Sequence, residues 1–144
     1  MTLRRLLGIE LPVVQAPMAG VQGSALAIAV SNAGGLGSLP CAMLSADAMA
    51  AELAALRAGT SKPFNVNFFC HAAPTPDERR EAAWRAQLGP YYDEFGIDAA
   101  AIPAGPGRAA FGVEAADAID AFRPAVVSFH FGLPSAGLLA RVKS

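Results

Sequence analysis

Gln15-Ala16-Pro17-Met18-Ala19-Gly20 is the stretch on which the reading of this chain turns. It follows the apolar run Leu11 to Val14 and leads through Gly23-Ser24 into an Ala-rich segment of helical character. A strand that runs into a loop holding Pro and Gly leaves backbone N–H groups exposed beside whatever binds there. Gly20 and Gly23 lack a Cβ, which lets that backbone come close to a flat or anionic ligand. Strand, ligand-facing loop and helix, in that order, form the opening unit of a parallel α/β fold.

Outward from that stretch the alternation continues. Thr2 to Gly8 reads as a short helical turn, and Val13 to Gln15 as the first strand. Ser24 offers an N-cap for a helix over Ala25 to Asn32, which Gly34 can close in the left-handed conformation. Leu36 to Leu39 is a second strand, ended by Pro40. Ser45 caps the next helix, with Asp47 in its first turn, Met49, Leu53 and Leu56 at helical spacing, and Gly59 at its end. Phe64 to Phe68 is the third strand. Thr75-Pro76-Asp77-Glu78 reads as a capping box with Pro at the first helical position. It opens a polar helix that reaches Gln87 or Leu88 and breaks at Gly89-Pro90. Ala99 to Gly112 is a loop, Val113 to Phe122 a helix stopped by Pro124, and Ala125 to Phe129 the fourth strand. Pro134 starts a last helix.

This order implies parallel strands joined by right-handed crossovers. A complete (β/α)₈ barrel takes roughly 250 residues, so four strands amount to about half of one. The expected organisation is a single partial barrel domain over residues 1–144, with an excursion at about 70–112 between the third and fourth strands. A small doubly wound sheet is the rival architecture.

Composition agrees. The chain has 144 residues, 53% of them hydrophobic and 16% charged, with a mean hydropathy of +0.37. Such a balance argues for a packed α/β core and against disorder. A net charge of −1 supplies no electrostatic case for nucleic acid. Arg4-Arg5 precedes a short apolar pair, but Glu10 and Pro12 interrupt it, so no signal peptide is read there. No charge occurs between Leu11 and Ala46; Pro12, Gln15, Pro17, Gln22, Asn32 and Gly34-Gly35 nevertheless break that run too often for a membrane-spanning helix. Cys41 and Cys70 form no CxxC and read as two reduced thiols of a cytoplasmic protein.

In parallel α/β proteins ligands bind at the carboxyl ends of the strands. Those ends carry Ala16-Pro17-Met18-Ala19, then Asn67, then Ser128 and His130. Asn67 can both donate and accept, which suits the polar edge of a flat ligand; Asn65 shares its parity, and Asn67 is preferred as nearer the strand end. His130, between Phe129 and Phe131, can orient a small anion or stabilise negative charge, or can serve structurally on a backbone carbonyl. His71 has no partner at metal-ligand spacing, so no metal site is read. Trp84 and Tyr91-Tyr92 could reach over the site or simply pack. Asn32-Ala33-Gly34-Gly35-Leu36-Gly37 lacks the GxGxxG spacing and ends a helix instead of opening one.

With these residues in hand, the chain resembles the nitronate monooxygenase family, formerly called 2-nitropropane dioxygenases. The resemblance is carried by Leu11 to Gly20, Ser31 to Ser38, Pro63 to Phe68 and Val126 to Gly132, in that order. It implies a TIM barrel that holds FMN and oxidises alkyl nitronates with O₂ to a carbonyl compound and nitrite. It further implies that Ala16, Pro17, Met18 and Ala19 lie against the isoalloxazine ring, that Asn67 contacts the flavin and that His130 lines the substrate pocket. The family's Gly-Gly-His motif, with the main catalytic base, and its phosphate-gripping loops come after the fourth strand and find no match here. The expectation is therefore a truncated form that lacks that base and associates with itself through exposed barrel edges. An FMN-dependent enoyl reductase and an inactive half-barrel without flavin are the alternatives.

Overall fold

The computed structural model describes residues 2–73, 75, 77–102 and 108–144. In chain order the elements are α1 (Leu3–Leu7), α2 (Ser24–Asn32), β1 (Gly37–Pro40), α3 (Ala46–Gly59), β2 (Phe64–Phe69), α4 (Glu78–Phe95), α5 (Val113–Phe122), β3 (Val126–His130) and α6 (Ala136–Lys143). The chain divides into two compact units, Met1–His71 with Arg108–Ser144, and Ala72–Gly107.

In the first unit the strands form a parallel sheet in the order β1-β2-β3. Ser38 lies beside Asn65, Asn67 beside Ser128, and Phe69 beside His130. Because neighbours in register share a face and residues alternate along a strand, the sheet has two contrasting sides. One carries Leu39, Cys41, Val66, Phe68, Val127 and Phe129. It packs against Ala27 of α2, Met49, Leu53 and Leu56 of α3, Ala116 and Ile119 of α5, and Leu138 and Val142 of α6. Each side chain buried fully there contributes about 1.5–3 kcal/mol. Four helices on one side of the sheet are a barrel arrangement; a doubly wound sheet would divide them between both. The other side carries Ser38, Asn65, Asn67, Phe69, Ser128 and His130 and has a different character.

Several boundaries depart from the sequence reading. The first strand shrinks to one bridge, Val14 with Leu36. Leu36 N–H donates to the Val13 carbonyl and Gln15 N–H to the Leu36 carbonyl, both at 2.9 Å. Pro12 and Pro17 bracket the run without an N–H to give, so no ladder extends from it. Gly23, not Ser24, is the N-cap of α2; the Ser24 N–H donates to Glu52 Oε2 of α3 at 2.6 Å. Asp77 rather than Thr75 caps α4, its carboxylate accepting from Arg80 N–H at 3.0 Å. The expectation for Pro76 lies outside the described residues. The last helix, α6, starts at Ala136 under a Ser135 cap and not at Pro134.

The second unit is built on α4, which continues through Gly89-Pro90 and closes at Gly96 with φ +64°. Pro90 removes one donor, at a cost of about 3 kcal/mol in a helix interior. The turns on both sides of it keep their own bonds, which a local rule for breakers does not count. Trp84, Tyr91 and Tyr92 all lie on this helix.

Candidate functional site

The second side of the sheet is polar where a barrel lining is ordinarily built of Val, Ile and Leu. Ser38, Asn65 and Asn67 are 0%, 4% and 1% exposed. Buried polar groups of this kind need partners, since an orphaned one costs about 1–3 kcal/mol. Asn67 is fully partnered. Its amide nitrogen stands 2.8 Å from Ser128 Oγ, 3.2 Å from the Ser128 carbonyl and 3.0 Å from His130 Nδ1. Its Oδ1 lies 3.2 Å from the same His130 nitrogen. Two side chains 63 positions apart in sequence thus meet because β2 and β3 are in register there.

Asn65 is only half satisfied. Its amide nitrogen donates to Ser38 Oγ at 3.1 Å, while Oδ1 has no hydrogen-bond partner among the described residues. Both asparagines face the same side, as their shared parity requires.

Ser38 ties this face to the stretch that opened the sequence. Its N–H donates to Gln15 Oε1 at 3.1 Å, and its carbonyl accepts from Gln22 Nε2 at 2.6 Å. Gln15 Nε2 in turn donates to Gln22 Oε1 at 2.6 Å. These amides supply bonds that the shortened first strand does not make, and they pin the intervening loop at the carboxyl end of β1. Within the loop Gly20 has φ +84°, and the amides of Ala16, Met18, Ala19 and Gly20 have no acceptor among the described residues. Sequence reasoning took Gln15 and Gln22 as breaks in an apolar run. Their presence in a stretch without a single charge was the available signal of a bonding role.

Aromatic rings flank His130. Phe69 stands edge-on to His130 at 6.1 Å, to His71 at 6.3 Å and to Phe131 at 5.0 Å between centroids. Phe131 has φ +65° and is exposed, and Gly132 follows at φ +118°. A bulky residue in the left-handed region stores about 1–3 kcal/mol of strain, and such strain gathers at ligand sites. His71 Nδ1 is buried and unpartnered among the described residues.

The thiols take no part in this cluster. Burial pushes Cys41 up to about 12, against a smaller lowering by the hydrogen bond from the Asn67 backbone. Burial also raises Cys70. A cavity of about 230 Å³ lined by Cys41, Leu44, Met49, Phe68 and Phe111 opens on the helix-covered side, away from the polar residues. Among the described residues no three His, Cys, Asp or Glu side chains gather as metal ligands, and no helix is long and apolar enough to cross a membrane.

Comparison with known proteins gives this geometry a context. The family described as nitronate monooxygenase matches residues 1–144. A nitronate monooxygenase of Paraburkholderia phytofirmans is 43% identical over 146 residues, covering 96% of this chain and 38% of that protein. One from Pseudomonas aeruginosa is 44% identical over 138 residues, covering 90% of this chain and 37% of that protein. Among solved structures, a nitroalkane oxidase from Streptomyces ansochromogenes is similar with a TM-score of 0.78 and 35% identity, over 98% of this chain and 39% of that one. The chain thus spans less than two-fifths of the length of these relatives, and its fold is that of a partial (β/α) barrel.

Proposed function

This chain belongs to the nitronate monooxygenase family, a family of oxidoreductases, and from that premise we propose that its first unit forms one wall of an FMN site where alkyl nitronates react with O₂ to give a carbonyl compound and nitrite. The observation that carries the reading is the Ser128–Asn67–His130 cluster at the carboxyl ends of adjacent parallel strands. That is where a barrel enzyme keeps its chemistry.

The residues present fit a flavin. Ala16, Met18, Ala19 and Gly20 offer unengaged backbone donors on a loop that Pro17 and Gly20 shape, and Asn65 offers a buried acceptor without a donor. Flavin, when bound, supplies the electron acceptor and the reactivity toward O₂. The chain supplies position and surroundings. Ala16, Pro17, Met18 and Ala19 would lie along the ring, with Asn67 behind it. Phe69 and Phe131 set apolar ring surface beside the imidazole. His130 meets the substrate and biases its orientation. The partners are then a small nitronate and O₂ in the cytoplasm, with self-association through the free edge of β3.

The test is to incubate the 144-residue chain with FMN, remove free flavin by gel filtration, and measure bound-flavin absorbance and nitrite release from an alkyl nitronate in air. Retained flavin with nitrite formation is the expected result. Retained flavin without nitrite, but with NAD(P)H-driven reduction of an enoyl thioester, would move the chain to the enoyl reductase reading. No retained flavin would sink the proposal for this polypeptide.

A further inference from the structure

We infer that Asn67 and Ser128 act as positioning residues that hold His130 in a single neutral tautomer, protonated at Nδ1, so that a bare Nε2 faces the ligand. The argument counts hydrogens. A main-chain carbonyl only accepts, so the Asn67 atom 3.2 Å from the Ser128 carbonyl is the amide nitrogen, which fixes the amide's orientation. That nitrogen carries two hydrogens, and Ser128 offers an acceptor for each, its carbonyl at 3.2 Å and its Oγ at 2.8 Å. Neither hydrogen is then left for His130, although its Nδ1 lies 3.0 Å from the same nitrogen. The Nδ1 proton then goes to Asn67 Oδ1 at 3.2 Å.

The opposite assignment fails on burial. Were Nδ1 bare and accepting from the amide, Asn67 Oδ1 would have no donor among the described residues, in a side chain only 1% exposed. A neutral imidazole carries one N–H, so a proton on Nδ1 leaves the lone pair on Nε2. The neutral ring therefore meets a ligand as an acceptor, and the matching group is a donor, which a nitronate anion lacks and its conjugate acids, the nitronic O–H and the nitroalkane's acidic C–H, supply. Among the described residues Ser128 makes no hydrogen bond to the imidazole; it acts by using up the amide hydrogens. The consequence for substrates rests on the proposed function, whereas the tautomer does not.

Two histidines in 144 residues make the test direct. The chain is labelled with ¹⁵N-histidine, and multiple-bond ¹H–¹⁵N correlations are recorded near pH 8.5, roughly two units above the ~6.5 of a free imidazole. The His130 signals are assigned by their loss in His130→Gln. The expected pattern is a protonated Nδ1 and a bare Nε2. Asn67→Asp, whose carboxylate still accepts from Nδ1, should keep that pattern, and Asn67→Leu should give the tautomer mixture of a free imidazole. A wild-type ring protonated at Nε2, or averaging between tautomers, would overturn the inference. So would a folded Asn67→Leu variant with the wild-type pattern, or an Asn67→Asp variant without it. Should Asn67→Leu fail to fold, the wild-type spectrum decides alone. Neither flavin nor turnover is needed, so the outcome stands apart from the fate of the oxidase reading.

Discussion

A Cβ built on Gly37 would lie 1.9 Å from the Ala27 carbonyl oxygen and 2.7 Å from Ser31 Oγ. The obstacle is backbone, which cannot rotate away, and Gly37 N–H donates to that same Ser31 Oγ at 3.1 Å. Gly37→Ala must push α2 off β1; we expect a loss of about 3 kcal/mol or more, read from urea unfolding. Cys41 gives a second residue-scale expectation. Its thiol moves from an ordinary 9.0 to about 12 in the folded chain because burial disfavours the thiolate. Above about pH 9 the unfolded chain releases that proton and the folded chain keeps it. Stability therefore falls with rising pH between about 9 and 12, at up to roughly 1.4 kcal/mol per pH unit. Cys41→Ala should flatten that decline when unfolding is compared at pH 8 and pH 10. At this scale the sequence was most legible in the position of single residues, Asn67 and His130 toward the carboxyl ends of their strands. It was silent on Asn67 and His130 touching, because only strand register brings positions 63 apart together.

The α2 N-terminus shows how elements depend on one another. Gly23 has no side chain to cap it, and the Ser24 N–H is met instead by a carboxylate from α3. Glu52→Ala removes both a hydrogen bond and a negative charge from a helix N-terminus, and should cost about 1 kcal/mol in urea unfolding. Sequence reasoning placed the cap one residue late because capping rules look only along the chain, and Glu52 arrives from 28 positions away. The same locality explains the other differences. Val13 to Gln15 has the residues of a strand but too few donors to extend a ladder. Pro90 has the chemistry of a breaker but sits between turns that hold without it. Helices with an internal period and their own caps, such as α3 under Ser45, were read correctly because everything that defines them is nearby in sequence.

At the scale of the whole molecule, β3 is an edge strand among the described residues, and Val13, Val14, Phe131 and Leu133 are exposed. Unpaired strand edges invite pairing. Sedimentation of the chain at rising concentration should show a reversible dimer, and a single monomeric species up to about 100 μM would count against association through that edge. The order of strands and helices was readable from hydrophobic alternation, and so was the gathering of Asn67, Ser128 and His130 toward the carboxyl ends of adjacent strands. The polar lining was only half readable, since Asn65 and Asn67 stood out in an apolar run whereas Ser38 did not. That lining has an implication for how the protein tolerates change. Asn65 keeps a buried carbonyl without a donor among the described residues and its amide is bonded to the buried Ser38 hydroxyl, so replacing both together, Asn65→Leu with Ser38→Ala, should raise the melting temperature, by an amount equivalent to about 1 kcal/mol. Variants screened for heat resistance alone would drift toward oil-like residues at 38 and 65 together, while the bonds of Asn67 to Ser128 and His130 would hold position 67. The disagreement between such a screen and one for ligand capture would trace the outline of the proposed ligand, as a mould records the object it was cast around.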